Sequence, residues 1–216
     1  MTPQELATRH PKLFHVTAAG AARSILDHGL YSTRDILERW EVSAGKRLEL
    51  MTRRRPRAVA LDHPKRGRVI INDNAPLHEG KLANVLDDGL TSGDWLEMLN
   101  SRVLFFVAGK PLRQLIGSVM NRGTAKDILE LDTERLAQAY GDYMEIVPIN
   151  SGNTNYNAVR RGYATFAALP ETDYQVWRHR RAKCTPDSIK EVAIRGSIPD
   201  ISDFVLKVIE GTAGHD

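Results

Sequence analysis

Six consecutive apolar residues, Val103-Leu104-Phe105-Phe106-Val107-Ala108, form the most β-prone run in the chain. The run shows no polar alternation. It therefore predicts a strand buried on both faces, at the centre of a sheet. Weaker runs supply its neighbours. Leu13-Phe14 with Val16, Ile128-Leu129-Glu130-Leu131, Met144 to Ile149, and Ile189 to Ile194 all read as strands. Ala58 to Leu61 and Val69 to Ile71 are shorter ones, and the segment from Asp200 to Ile209 reads as a helical turn followed by a strand.

Helical patterns fall between them. Thr2 and Pro3 open a short first helix, with Thr2 as its cap. Ala21, Ala22, Ile25 and Leu26 share one side of a second helix, which Gly29 stops as a left-handed cap residue. Thr33 caps a third, Ser43 to Met51 reads as a fourth, and Lys81 to Leu86 and Thr91 to Asn100 as two more. Lys110 to Ile116, Glu134 to Tyr140 (capped by Thr133) and Tyr174 to Arg181 complete the set. The class is α+β. With 216 residues and no linker or repeat, residues 1–216 make a single domain, with 32–100 as a mainly helical insertion after the first strand–helix unit.

Composition narrows the function. No apolar run is long enough to cross a bilayer, and the start lacks a signal-peptide pattern. Cys184 is the only cysteine, which excludes an intramolecular disulfide and fits a reducing compartment; cytoplasmic location is the expectation. The seven histidines show no metal spacing, so no metal is expected. Neither a Gly-x-x-x-x-Gly-Lys-Ser/Thr phosphate loop nor a Gly-x-Ser-x-Gly nucleophile turn occurs. Basic residues cluster at Arg53, Arg54, Arg55 and Arg57, and again at Arg178, Arg180 and Arg181. Such clusters suit an anionic partner such as a nucleic acid, or equally two solvated faces.

Two stretches carry candidate chemistry. In the first, His15 and Thr17 alternate with Phe14 and Val16, so they share one strand face. The helix after them returns the chain at Gly29-Leu30-Tyr31-Ser32, and the polar ends of both elements can meet at one cleft. In the second, Glu191 lies inside an apolar strand, on a face shared with Ile189 and Ala193. A carboxylate there is costly unless it is paired or functional. Between strands, the loop from Asn150 to Asn157 is dense in amide side chains and reads either as a substrate loop or as a cluster of surface turns.

His15-Val16-Thr17, Gly29-Leu30, Glu191-Val192-Ala193-Ile194 and Ile198-Pro199 stand in an order that resembles the ADP-ribosyltransferase fold. The likeness is to its DarT-type branch and the RNA 2′-phosphotransferase relatives. The whole chain also resembles an uncharacterised bacterial family, which brings no activity with it. The resemblance implies a split mixed or antiparallel sheet and transfer of ADP-ribose from NAD to an acceptor. Glu191 would stabilise an oxocarbenium-like transition state and could take the acceptor's proton. His15 would bond a ribose hydroxyl and Thr17 would orient it. Gly29, Leu30, Tyr31 and Ser32 would shape the NAD site. Relatives also use an arginine, and Arg34, Arg53, Arg57, Arg102, Arg122 and Arg160 are all open candidates. No counterpart of the phosphotransferases' extra His-Arg pairs is visible, which discounts that activity. Nucleic acid is slightly favoured as acceptor. The alternatives are a small-molecule acceptor, or a non-catalytic module that binds nucleic acid or protein on the same fold.

Overall fold

A computed structural model of the chain describes residues 1–107, 125–155, 158–180 and 188–212. In chain order the elements are α1 (Pro3–Arg9), β1 (Lys12–Ala18), α2 (Ala22–His28), α3 (Thr33–Arg39), α4 (Ala44–Thr52), β2 (Val59–His63) and β3 (Gly67–Ile71). Then come α5 (Glu79–Ala83), α6 (Ser92–Asn100), β4 (Arg102–Val107), β5 (Lys126–Asp132), α7 (Thr133–Tyr140), β6 (Met144–Val147), β7 (Ala167–Ala168), α8 (Tyr174–Arg180), β8 (Glu191–Arg195) and β9 (Val205–Thr212). The fold is α+β. Seven strands form one sheet in the order β7-β6-β8-β4-β1-β5-β9, and every ladder among the described residues is antiparallel. The strands β2 and β3 form a separate hairpin. The helix expected over Lys110 to Ile116 lies outside the described residues.

The apolar run is central, as its composition demands: β8 flanks β4 on one side and β1 on the other. Its two faces are not equivalent. Val103, Phe105 and Val107 are buried, whereas Leu104 and Phe106 are half-buried. On the first face Leu13, Phe105, Leu129 and Val192 pack with Leu6 of α1, Ala22 of α2, Leu136 of α7 and Trp177 of α8. On the other, Val147 and Ala193 pack with Leu82 of α5 and Trp95 and Leu96 of α6. The insertion between α2 and β4 keeps a core of its own from Ile36, Leu37, Leu50, Met51 and Ile71.

Local chemistry fixes the ends of the elements. Thr2 caps α1 in a reciprocal box with Glu5, and Thr91 does the same for α6 with Asp94. Two caps fall one residue earlier than the sequence suggests. Ser32 rather than Thr33 caps α3, accepting from the Asp35 N–H at 3.2 Å, and Asp132 rather than Thr133 caps α7. In each case the residue at the extended-to-helical junction has the side-chain oxygen in range, so the next residue enters the first turn.

The ladders around β1 are unequal. It pairs with β5 from Lys12 to Ala18, but with β4 only at Leu13↔Val107 and Phe14↔Phe106. Among the described residues no β1–β4 pairing is made beyond Phe14, and the His15 ring reaches the Leu104 carbonyl instead, with Nδ1 3.0 Å from the oxygen. The sheet thus opens beside His15.

The two ends of the chain meet at Leu30. Its N–H donates to the Ile198 carbonyl at 2.9 Å, and the Ile198 N–H donates back at 2.8 Å. Gly29 makes this contact possible. Its φ is 102°, and a Cβ there would lie 2.7 Å from the Pro199 Cα. The residue is therefore not an ordinary left-handed cap, since its ψ of 163° keeps the chain extended. Gly29→Ala is expected to cost about 3 kcal/mol, from backbone strain together with the forced separation of Pro199. A urea denaturation series on the two proteins measures it, and a cost below about 1 kcal/mol would mean that the contact yields freely.

Candidate active site

Glu191 opens β8 and sits opposite Phe106 of β4 and Val147 of β6. It is 2% exposed. Its Oε2 accepts two hydrogen bonds from Ser151, from the backbone N–H at 3.0 Å and from Oγ at 2.6 Å. Burial pushes the carboxyl up to about 7, against the opposing pull of the Ser151 donors and the Arg161 charge.

Ser151 is held in turn. Its carbonyl accepts from Arg161 Nη1 at 2.9 Å and from Trp95 Nε1 at 3.3 Å. Arg161 also donates from Nη2 to the Asn153 carbonyl at 3.1 Å and from Nε to the Val159 carbonyl at 3.0 Å. Its guanidinium lies 5.5 Å from the centre of the Trp95 ring. Burial brings the Arg161 guanidinium down to about 10, with Glu191 pulling the other way. It therefore stays a cation at neutral pH. The loop is anchored further along, where Thr154 Oγ1 accepts from the His78 N–H at 2.7 Å. From Ser151 to Thr154 the amide-rich loop is thus tied down, with Ser151 set on Glu191.

His15 and Thr17 share a face, as the alternation requires, but it is the face turned to the main core. Thr17 is 5% exposed and pairs with Asp127, whose carboxylate accepts from the Ala22 N–H and the Gly211 N–H, each at 3.1 Å. The His15 ring meets Phe105 edge-on at 5.8 Å. Burial lowers its pKa, with the Leu104 bond opposing. The ring is accordingly neutral at pH 7. The carbonyl accepts from Nδ1–H, which makes Nε2 a hydrogen-bond acceptor.

Registers decide which site residues share a face. Phe14, Phe106 and Glu191 are directly opposite one another across β1, β4 and β8, so they lie on one face. His15 is one residue on from Phe14 and projects from the other. The structure therefore brings His15 and Glu191 to the two strands flanking β4, but on opposite sides of the sheet. The half-buried aromatics Phe14 and Phe106 accompany the carboxylate, not the imidazole.

The remaining sequence candidates have visible structural work. Leu30 is buried in the main core and pairs with Ile198. Tyr31 packs against the insertion core with the Arg39 guanidinium 4.3 Å over its ring. Ser32, 1% exposed, caps α3, and its N–H donates to Ser197 Oγ at 2.9 Å. Arg102 forms a bidentate pair with Glu145, at 2.6 and 3.1 Å. Arg34 pairs with Glu97, and Arg160 with Asp87, both at the surface. Arg122 and Arg181 lie outside the described residues.

The basic cluster after α4 is divided. Arg53 and Arg57 are exposed, but Arg55 is buried, donating to the Asn72 carbonyl at 3.2 Å and to Asn100 Oδ1 at 2.9 Å. Burial lowers its pKa to about 10, with Asp73 opposing. Arg54 reaches the Ala75 carbonyl at 2.7 Å. These two arginines tie the insertion together. In the second cluster Arg178 is half-buried, and the Arg180 backbone ends α8.

Sequence reasoning missed Ser151 and Arg161 as site residues. The loop was visible as a polar stretch, but nothing in its composition separates Ser151 from its amide neighbours. Nothing separates Arg161 from Arg160 beside it either. A surface cavity of about 510 Å³ lies between α1 and Pro170 to Gln175, and none of the sequence-predicted site residues lines it. Among the described residues no cluster of His, Cys, Asp or Glu could hold a metal ion, and no helix is long and apolar enough to cross a membrane.

A protein-family model matches residues 11–205. The chain belongs to DUF7002, a family of unknown function. The matched span runs from just before β1 to the start of β9, so it takes in His15, the Ser151 loop, Arg161 and Glu191. No curated protein matches the sequence.

Proposed function

We propose that this DUF7002 protein transfers ADP-ribose from NAD to an acceptor, with nucleic acid slightly favoured, and that Glu191 is the carboxylate serving the reacting ribose. The observation that carries this reading is the pairing of Leu30 with Ile198. It joins Gly29-Leu30 to Ile198-Pro199, two of the motifs on which the resemblance rests, although most of the chain separates them. The short β1–β4 ladder leaves room for the split that the resemblance implies, within one seven-stranded sheet.

The residues fit the chemistry of the dinucleotide. NAD supplies the ADP-ribosyl group and nicotinamide as leaving group. A carboxyl near 7 is poised to exchange a proton at neutral pH. The His15 ring, neutral and packed on Phe105, projects from the opposite face of the sheet, so the reading rests on Glu191 and not on a His15–Glu191 pair at one ribose. A second reading is favoured by the near-complete burial of Glu191, which also suits a purely structural carboxylate in a binding module.

Nicotinamide release separates the two readings. The wild type and Glu191→Gln are incubated with NAD, alone and with single-stranded DNA, RNA or cell extract. Release that depends on Glu191 supports the transferase, and the additive that accelerates it names the acceptor class. No release and no NAD binding would leave the binding module.

The acceptor preference has its own test. Lys and Arg outnumber Asp and Glu between residues 32 and 75, and Arg53, Arg57, Lys65 and Arg66 are exposed there. Replacing Arg53 and Arg57 together by Ala should flatten the salt dependence of single-stranded nucleic-acid affinity by about 1.4 in log–log slope. An unchanged slope would place nucleic acid elsewhere.

A further inference from the structure

Both hydrogen bonds to the Glu191 carboxylate land on one oxygen. Oε2 takes the Ser151 N–H and Oγ–H, whereas Oε1 accepts none from the described residues. An ionised carboxylate offers about four lone-pair sites, so Oε1 has room for a further donor. The asymmetry is built from behind. Arg161, itself 2% exposed, spends Nε, Nη1 and Nη2 on the carbonyls of Val159, Ser151 and Asn153. A planar fork of fixed donors locks three carbonyls at once, as a lysine cannot.

We propose that Ser151 and Arg161 are positioning residues for Glu191: Ser151 fixes Oε2, Arg161 fixes Ser151, and Oε1 is left to take a substrate hydroxyl. The identity of that hydroxyl, on the ribose of NAD or on the acceptor, rests on the transferase reading. The aiming of the carboxylate does not. Among the described residues, other charges on this face have partners. Arg161 reaches from the loop, Glu145 of β6, opposite Ala193, is tied to Arg102 of β4 and lies 3.8 Å from Arg195 of β8, and Lys12 of β1 pairs with Glu130 of β5.

The test combines titration with turnover. Ser151→Ala removes the Oγ donor and keeps the N–H. The midpoint of the Glu191 carboxyl is followed by infrared difference spectroscopy in the NAD-free protein, with Glu191→Gln as the blank. Loss of one hydrogen bond to a charged group should raise it by about one to two pH units. The acidic limb of nicotinamide release should move with it, and Ser151→Thr should restore both. Arg161→Lys keeps the charge and loses the fork. It should raise the midpoint too and lower kcat on the order of ten- to a hundredfold, and it carries the test if Ser151→Ala does not fold. An unmoved midpoint in the folded variants overturns the inference, whether or not the wild type turns over. A moved midpoint in a protein that releases no nicotinamide removes the transferase reading and leaves the positioning of the carboxyl intact.

Discussion

Glu191→Gln is expected to lower nicotinamide release by about three orders of magnitude, with little change in KM, because the loss falls on the transition state. Gln is nearly isosteric. Its amide oxygen can still accept from the Ser151 N–H and Oγ, so these contacts survive the substitution. What disappears is the negative charge and the site for a proton. Since the wild-type carboxyl sits near 7, release should climb as pH passes from 6 to 8 and the ionised fraction grows. Glu191→Gln should lose that limb entirely. A variant that keeps release within tenfold of the wild type would remove Glu191 from the chemistry and favour the binding module.

Much of the frame was legible in residue pattern. The run at 103–107 required a central strand, and β4 is one. The alternation in Leu13 to Thr17 required His15 and Thr17 to share a face, and they do. What alternation cannot state is which face meets the core. Phe14 and Val16 are bulky and apolar, which suggests that they point inward, yet both are half-buried. His15 and Thr17 face the main core because Phe105, Leu129 and Asp127 receive them there. Register set that outcome, and register depends on which strands become neighbours.

The same limit applies at the site. The cost of burying a carboxylate singles out Glu191 in the sequence, and its 2% exposure matches that expectation. Its partners could not be found the same way. Ser151 precedes it by 40 residues and Arg161 by 30, on a loop whose composition suits any turn. Charge density misled in the opposite direction. Four arginines between 53 and 57 look like one basic surface, yet Arg55 satisfies carbonyls inside the insertion while Arg53 and Arg57 remain in solvent. Sequence gives the number of charges, but their accessibility is a tertiary property.

Stability should record the Glu191 carboxyl independently of any activity. Its folded value of about 7 stands above the ordinary 4.5 of the unfolded chain. Between these values the unfolded state ionises while the folded state holds its proton. Glu191 therefore stabilises the fold fully below pH 4.5, and the contribution is lost as pH rises towards 7. The gap corresponds to about 3 kcal/mol. His15 acts in the other sense. Its folded value lies below 6.5, so its contribution is present above 6.5 and is lost as pH falls. Urea midpoints for wild type and Glu191→Gln from pH 4.5 to 8 separate the two, since the difference between the proteins isolates Glu191. That difference should swing by about 3 kcal/mol against the wild type as pH rises, while the variant alone should gain stability with pH below 6.5 through His15. A difference that stays constant across the range would mean that Glu191 titrates normally, and it would remove both the proton affinity and the poised carboxyl from the account of this site. A carboxylate that destabilises its own fold at neutral pH, where glutamine would not, is hard to rationalise as a structural residue. Measured in full, the swing would weigh for a working group.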